Sequence, residues 1–287
     1  MARVLSETIK SITKDHLEQK RGRLYAQCVK AVGWIGGTVP DTVGIVELPT
    51  SDVSNGGIVV GAALAGERPI YVVRYQGFLA YNMITVLNYA AKSMEMWNTP
   101  CPVLVRALGM EGSMGPVASN MHHSLAMRMP GIHVTAPMTP YEWTVCYDIF
   151  MSNNVPHLMS ESRQALGSST EFYNVLVHQP KCTLFLVGPI RLKDAEIREA
   201  LPDVNIVHMY RLKPLDVPSV FCMEHSPFGI VVDSDYETCG VSEHIAYRLS
   251  QQFHKPVYAL GLEERTAGFS PAKDNVTPTI EKIKQFL

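Results

Sequence analysis

Short continuous apolar runs alternate with stretches of helical spacing along most of the chain. Continuous apolar runs are typical of parallel strands that are buried on both faces of a sheet. We predict nine such strands, over Thr42–Glu47, Pro69–Arg74, Pro102–Arg106, His133–Pro137, His157–Ser160, Thr183–Val187, Val204–Met209, Phe228–Asp233 and Pro256–Leu262. The helical patterns lie between these runs, which predicts parallel sheets covered on both faces by helices.

Helical spacing begins near the N-terminus, where Glu7–Val32 predicts one or two helices. Small residues crowd one face of Gly56–Gly66, which predicts a helix packed closely against another backbone. The glycine-rich segments Gly33–Pro40 and Leu108–Asn120 predict loops. Further helices are predicted over Asn82–Met96, Pro140–Met151, Lys193–Ala200, Gly240–Gln252 and Thr277–Leu287.

The alternation of strands and helices is interrupted once, at Gly167–Lys181, which has the composition of a linker. A second set of strands and helices follows it. The predicted fold class is therefore α/β, with two three-layer domains built on parallel sheets, over residues 1–170 and 171–287.

Composition excludes several classes of protein. Of the 287 residues, 46% are hydrophobic and 18% are charged, as in a soluble globular protein. Lys plus Arg is 25 against 27 for Asp plus Glu, so no basic excess favours nucleic acid as a partner. No run of 18 apolar residues or signal-peptide core appears, so neither a transmembrane helix nor a membrane partner is expected. The six cysteines form no CxxC pair, which indicates reduced thiols, no metal site and a cytoplasmic location.

Polar residues gather where three predicted strands end. Because ligands of open parallel sheets bind at the carboxyl ends of strands, these loops are the candidate site. They carry Asp52, Tyr75, Gln76, Phe78, Tyr81, His122 and His123. The chain has no GxSxG elbow, P-loop or GxGxxG turn. The charged tail of any phosphorylated cofactor would therefore be held elsewhere.

The segment GGIVVGAALAGERPI, residues 56–70, closely resembles the motif GIxVGAAxAGxRPI of a known family. That family consists of the beta subunits of thiamine-diphosphate-dependent 2-oxo acid dehydrogenases. The same region is related to the middle domain of transketolase. The resemblance continues through residues 88–92, His123-Ser124 and residues 130–134. In the second half, RLKPLD at residues 211–216 is similar to the family's LRPLD, and residues 229–240 to its VVDE…GG segment.

The resemblance implies a transketolase-like pyrimidine-binding domain over residues 1–170, and a transketolase C-terminal-like domain over residues 171–287. It also implies that thiamine diphosphate is bound between two chains, in an α2β2 assembly. An alpha-like partner subunit would hold the diphosphate and Mg²⁺. The subunit seen here would supply the pocket for the aminopyrimidine ring, where a carboxylate hydrogen-bonds a ring nitrogen and promotes loss of the thiazolium proton.

The resemblance assigns roles to particular residues. The family's catalytic Glu falls on Asp52, which is shorter by one methylene, and the alternative is that Asp52 only caps the following helix. His123 matches the family's active-site His, with His122 as the alternative register, and a surface or N-cap histidine pair is the competing interpretation. Gln76 falls where the family has Phe.

The resemblance also implies that aromatic residues of the candidate site contact the cofactor. The aromatic residues available to pack on the pyrimidine are Tyr75 and Phe78, with Tyr81 nearby, and ordinary core packing is the alternative for them.

Three functions remain open at this stage. The first is a beta-like subunit that, with its partner, decarboxylates a 2-oxo acid and transfers the acyl or aldehyde group. The second is a subunit of a split transketolase that transfers a ketol group between sugars. The third is a structural or regulatory subunit with a degenerate cofactor site. The first two predict that the isolated chain exposes apolar surface and self-associates.

Overall fold

Two parallel sheets organise the chain. The computed structural model describes residues 3–20, 22–29, 33–110, 112, 114–275 and 277–287. Its strands are β1 (Leu24–Gln27), β2 (Ile45–Leu48), β3 (Ile70–Val73), β4 (Leu104–Gly109), β5 (His133–Thr135), β6 (His157–Ser162), β7 (Thr183–Val187), β8 (Asn205–Met209), β9 (Arg211–Lys213), β10 (Gly229–Tyr236) and β11 (Val257–Leu262). The first sheet has the order β2-β1-β3-β4-β6-β5-β9, and the second has the order β11-β10-β7-β8.

Helices and helical turns connect the strands. They are α1 (Leu5–Glu18), α2 (Gly33–Gly37), α3 (Asp52–Leu64), α4 (Leu79–Asn82), α5 (Ile84–Asn88), α6 (Ser93–Trp97), α7 (Gly115–Ala118), α8 (Ser124–Met127), α9 (Pro140–Ser152), α10 (Asp194–Ala200), α11 (Val241–Phe253) and α12 (Ile280–Lys284). Buried residues of α3 and α5 join one apolar core, and those of α1 and α9 join another. Within the described residues, no helix has both the length and the apolar character needed to span a bilayer.

The predicted α/β class with parallel sheets is confirmed, and each of the nine predicted strands overlaps a strand of the structure. The prediction of only helices over Glu7–Val32 is wrong, because β1 lies within that range. Leu24 and Ala26 are fully buried between β2 and β3. A strand buried on both faces lacks polar alternation, so its apolar residues fitted helical spacing by coincidence.

Two further differences concern segments without strong periodicity. The predicted helix over Asn82–Met96 is broken into short pieces, which include α5 and α6. The strand β9 was not predicted, and it pairs antiparallel with β5 at the edge of the first sheet. Because β9 lies in the second half of the sequence, the 171–287 segment completes the sheet of the first half. A three-residue edge strand carries too few positions to show a period.

Small residues on α3 allow close contact with the next helices, as the sequence predicted. A Cβ on Gly56 would lie 2.5 Å from both the carbonyl oxygen of Asn82 and the Oγ1 of Thr85. Any side chain at this position would therefore push α3 away from α4 and α5. The opposite face of α3 is open, since a Cβ on Gly61 would meet nothing within 4 Å.

Buried charges join the two halves of the chain. His123 is fully buried, with Nδ1 3.0 Å from Ser160 Oγ and Nε2 2.8 Å from Asp233 Oδ2. Asp235 Oδ2 lies 3.9 Å from the same Nε2 and accepts the backbone N–H of Ser124 at 2.9 Å. Residues of the first sheet thus contact the carboxyl end of β10 in the second. Burial by itself lowers the pKa of His123, but Asp233, with Asp235 behind it, raises the pKa to about 9.

A second buried ion pair crosses the same junction. Both guanidinium NH2 groups of Arg191 donate to the carboxylate of Glu142, at 2.9 Å for Nη1. Glu142 also accepts the backbone N–H of Met138 at 2.9 Å. Removing one partner of a buried, hydrogen-bonded pair leaves an uncompensated charge in an apolar environment, which costs about 3–5 kcal/mol. The relative placement of the two sheets therefore depends on charges that water does not reach.

The stability of the protein should fall as pH rises through the titration of His123. Its pKa is raised from 6.5 to about 9 in the folded chain, so the imidazolium contribution is complete below pH 6.5 and is lost by about pH 9. We expect the urea midpoint to decrease across this interval. The decrease should be much smaller in His123→Gln, and the control His254→Gln, on a different surface, should behave as wild type. A flat wild-type profile would contradict this assignment.

Candidate active site

A cavity of about 280 Å³ opens at the carboxyl ends of β1, β2 and β3. Parallel sheets expose loop residues and unpaired backbone groups at this edge, which is where their ligands bind. The residues that line it are Gln27, Cys28, Thr50, Asp52, Tyr71, Val72, Val73, Arg74, Tyr75, Phe78 and Asn82. A volume of this size suits a single heterocyclic ring with its substituents.

Asp52 is the acidic residue of this lining, and two amides hold it in place. Its Oδ1 accepts hydrogen bonds from Gln27 Nε2 and Asn82 Nδ2, each at 2.9 Å. The Tyr71 hydroxyl in turn donates to Asn82 Oδ1, which orients that amide. Burial raises the pKa of Tyr71, and the nearby Asp52 carboxylate raises it further, so the phenol stays protonated as a donor. No described residue donates to the second oxygen of Asp52, Oδ2.

The position of Asp52 follows from how α3 begins. Asp52 is the first residue of α3, and Ser51 occupies the N-cap position without a side-chain cap hydrogen bond. Asn55 Nδ2 donates to the Pro49 carbonyl at 2.8 Å and fixes the preceding loop. The hydrogen bonds of Asp52 run sideways to β1 and α4. The alternative that Asp52 only caps the helix therefore does not describe its contacts.

Two aromatic rings form a wall of the cavity. The centroids of Tyr75 and Phe78 lie 5.9 Å apart with an interplanar angle of 55°. Arg74 Nη2 donates to the Tyr75 hydroxyl at 3.0 Å, and its guanidinium lies 5.0 Å from the ring centroid. The cavity therefore combines a carboxylate oxygen with aromatic and aliphatic walls, a surface that suits a flat ring with polar edges.

The structure places the other four predicted site residues away from this lining. The side chain of Gln76 is buried, and its Nε2 donates hydrogen bonds to Ser160 Oγ at 2.8 Å and to the Ala107 carbonyl at 3.1 Å. Its Oε1 accepts a hydrogen bond from the backbone N–H of His122. His123 is sealed in the junction network described above. Tyr81 is 57% exposed on the surface.

His122 lies beside the same junction. Its ring centroid is 5.8 Å from that of Tyr236 on β10. Burial lowers the pKa of His122, and neighbouring Asp235 opposes that effect. Both histidines thus belong to the contact between the sheets, and Asp52, Tyr75 and Phe78 are the predicted residues that the structure brings together.

Sequence reasoning missed Gln27, Arg74 and Asn82 as cavity residues. Gln27 ends β1, which the spacing had assigned to a helix, so its place at a carboxyl edge was hidden. Arg74 ends the predicted strand 69–74, and a charged residue at that position was an available signal. Asn82 reaches Asp52 only because Gly56 lets α3 and α4 touch, which spacing alone cannot show. Among the described residues, no group of three His, Cys, Asp or Glu side chains is arranged to hold a metal ion.

Comparison with known proteins supports the resemblance found in the sequence. Residues 45–169 match the family of the transketolase pyrimidine-binding domain. The acetoin:2,6-dichlorophenolindophenol oxidoreductase subunit beta of Cupriavidus necator is 24% identical over 258 residues, which cover 83% of this chain and 75% of the relative. The pyruvate dehydrogenase E1 component subunit beta of Staphylococcus epidermidis is 22% identical over 264 residues, which cover 83% and 81%.

The fold also matches a solved structure. A split-gene transketolase, described as an inactive beta4 tetramer, aligns with a TM-score of 0.70 and 14% identity, covering 94% of this chain and 91% of that one. At this identity the match concerns the fold alone. Residues 45–169 thus resemble the transketolase pyrimidine-binding domain, in a chain whose relatives include the beta subunits named for pyruvate dehydrogenase E1 and 2-oxoisovalerate dehydrogenase.

Proposed function

We propose that this chain is the beta-like subunit of a two-chain thiamine-diphosphate enzyme that decarboxylates a small 2-oxo acid and transfers the acyl or aldehyde group. Its relatives include beta subunits of enzymes named for pyruvate, 2-oxoisovalerate and acetoin. In this proposal the cavity at Asp52 receives the aminopyrimidine ring. The diphosphate and Mg²⁺ are held by an alpha-like partner in an α2β2 assembly.

The observation that carries the proposal is the asymmetric environment of the Asp52 carboxylate. Oδ1 is occupied by Gln27 and Asn82, whereas Oδ2 is left for a ligand in the cavity. Because two hydrogen bonds hold Oδ1, Oδ2 is kept in a defined position. A displacement of a catalytic group by about 1 Å can lower the reaction rate about a hundredfold. A carboxylate that served only the fold would need no such free oxygen beside a ring-sized cavity.

The cavity fits the group that the family implies. A pyrimidine ring needs flat apolar walls and a hydrogen-bonding partner for a ring nitrogen, and Tyr75, Phe78 and Asp52 offer these. When bound, thiamine diphosphate supplies a nucleophilic carbon that adds to a carbonyl. Asp52 would hydrogen-bond the ring nitrogen through Oδ2 and favour the tautomer that takes up a proton. Gln27 and Asn82 would keep that oxygen in position, and Tyr71 would keep Asn82 in its orientation.

The partner subunit has an apolar surface to cover. On α3 and α5, Val53 is 51%, Ile58 48% and Ile84 44% exposed. Gly61 of the same helix is open as well, since a Cβ there would meet nothing within 4 Å. Apolar side chains gathered beside a site indicate a protein interface. This surface, which we call the α3 face, is the proposed contact with the other chains of the assembly.

Replacing Asp52 tests the catalytic proposal. In the complex co-expressed with its alpha-like partner, Asp52→Asn should lower turnover of pyruvate, followed by dichlorophenolindophenol reduction, by about 10²-fold or more, because the ring nitrogen loses its carboxylate. Thiamine diphosphate measured by mass spectrometry should still co-purify. Asp52→Glu keeps the carboxylate and should retain turnover above the Asn variant.

The matched control is Asp148→Asn, which removes an exposed carboxylate on α9. It should leave turnover unchanged. A complex that binds thiamine diphosphate and turns over equally well with Asp52→Asn would disprove the role of Asp52. A cofactor-loaded complex that acts on ketose phosphates but not on 2-oxo acids would identify ketol transfer instead. A complex that binds no cofactor would indicate a structural subunit.

The isolated chain should self-associate through the α3 face. Sedimentation velocity is expected to show dimers or larger species, and Ile58→Lys should shift them towards monomer, because a charge placed in a buried interface is costly. The control Tyr141→Lys changes a side chain that is 66% exposed on α9, which packs on the opposite side of the sheet. It should not change the distribution. A monomeric wild-type chain would contradict the proposed interface.

A further inference from the structure

The two rings of the cavity wall belong to one short turn, and a glutamine lies between them in the sequence. Residues Gln76–Phe78 form a single 3-10 turn that follows β3, with Tyr75 at its N-cap position. Tyr75 and Phe78 line the cavity, whereas Gln76 is fully buried. A turn of this length has few hydrogen bonds of its own. The position of the two rings therefore depends on what holds the turn from outside.

The side chain of Gln76 attaches the turn to the first sheet. Its Nε2 donates one hydrogen bond to the Ala107 carbonyl at 3.1 Å and one to Ser160 Oγ at 2.8 Å. Ala107 of β4 and Ser160 of β6 are paired residues of neighbouring strands. A primary amide has two N–H donors, so both are used to join the turn to these two strands.

The amide oxygen of Gln76 contacts a third segment. Oε1 accepts a hydrogen bond from the backbone N–H of His122 at 2.7 Å. Because the Ala107 carbonyl can only accept and this N–H can only donate, the two ends of the amide cannot be exchanged. Ser160 Oγ also lies 3.0 Å from His123 Nδ1, so the network continues into the junction of the two sheets.

The backbone of α7 packs directly on the same turn. A Cβ on Gly77 would lie 1.7 Å from the carbonyl oxygen of Val117, which is far closer than any side chain allows. Glycine at this position therefore lets α7 touch the turn. Contact with α7 restricts the turn, and the side chain of Gln76 supplies the directional bonds that fix its orientation.

A comparable amide in the second sheet serves as a reference. Asn205 of β8 is buried, and its Nδ2 donates to the Cys222 carbonyl at 3.0 Å and to Thr183 Oγ1 at 3.1 Å. Its Oδ1 accepts the backbone N–H of Val177 at 2.8 Å. All of these partners belong to the second half of the chain. A comparison of the two amides thus separates a role in the site from a contribution to the fold.

We propose that Gln76 is a positioning residue for cofactor binding, which fixes the rings of Tyr75 and Phe78 relative to Asp52 by holding their turn on β4 and β6. The inference rests on the proposed function, because it requires an aminopyrimidine ring in the cavity. A gap of about 1 Å between facing atoms forfeits up to about half of their dispersion attraction. A turn released from Gln76 therefore binds the ring more weakly.

Calorimetric titration with thiamine diphosphate and Mg²⁺ tests the inference in the complex co-expressed with the alpha-like partner and stripped of cofactor. Gln76→Met keeps an unbranched side chain but removes all three hydrogen bonds, and it should weaken binding about tenfold or more. Asn205→Leu removes a comparable set in the second sheet and should bind as wild type, although both variants should lower the urea midpoint. Hydrogen–deuterium exchange, measured before cofactor is added, should rise over residues 75–82 in Gln76→Met alone.

Ser160→Ala provides a milder second variant, since it removes one partner of the same amide. It should weaken cofactor binding less than Gln76→Met does, and the double variant should show less than the sum of the two effects, because both changes remove one shared hydrogen bond.

Two results would overturn the inference and leave the proposed function intact. One is unchanged cofactor affinity in both Gln76→Met and Ser160→Ala, in a complex whose wild type binds thiamine diphosphate. The other is equal weakening by Asn205→Leu, which would reduce the effect to a loss of stability. A wild-type complex that binds no thiamine diphosphate would overturn the inference together with the proposed function.

Discussion

Charges withdrawn from water at the junction of the two sheets are the constraint on which the rest of the structure depends. His123 contacts Asp233 across the junction, and Arg191 contacts Glu142 in the same region. A buried charge without its partner is strongly unfavourable, so each pair is satisfied only when the two halves of the chain meet in one arrangement. The strand β9 adds backbone hydrogen bonds to the same contact. The carboxyl edge of the first sheet is thereby held in a defined position.

Polar residues at the junction of the two sheets differ in their contacts from those at the carboxyl edge of the first sheet. Around His123 every polar contact lies within the protein, and the histidine serves to join the sheets. Asp52 lines a cavity, and among the described residues its hydrogen bonds go to one carboxylate oxygen. In the proposed function, Asp52 carries the proton chemistry of the site, with Gln27 and Asn82 as positioning residues.

Much of the fold could be predicted because parallel strands buried on both faces leave a direct mark on the sequence. Runs such as PIYVVR and TLFLV admit few other structures. The same property concealed β1, because its buried residues also fit helical spacing. At the site, the resemblance led to Asp52, and the aromatic residues Tyr75 and Phe78 followed from their place after β3.

By itself, the sequence determined the α/β class, most strands of the two sheets and the motif that places Asp52 at the start of a helix. These follow from local apolar runs and from residue order. Only the tertiary structure decided which polar side chains face the cavity and which are sealed between the sheets. His123 and Asp52 are equally plausible site residues in the sequence, and their difference arises from contacts with residues far along the chain. Burial and hydrogen bonding depend on the packing of distant segments, and no local pattern encodes that packing.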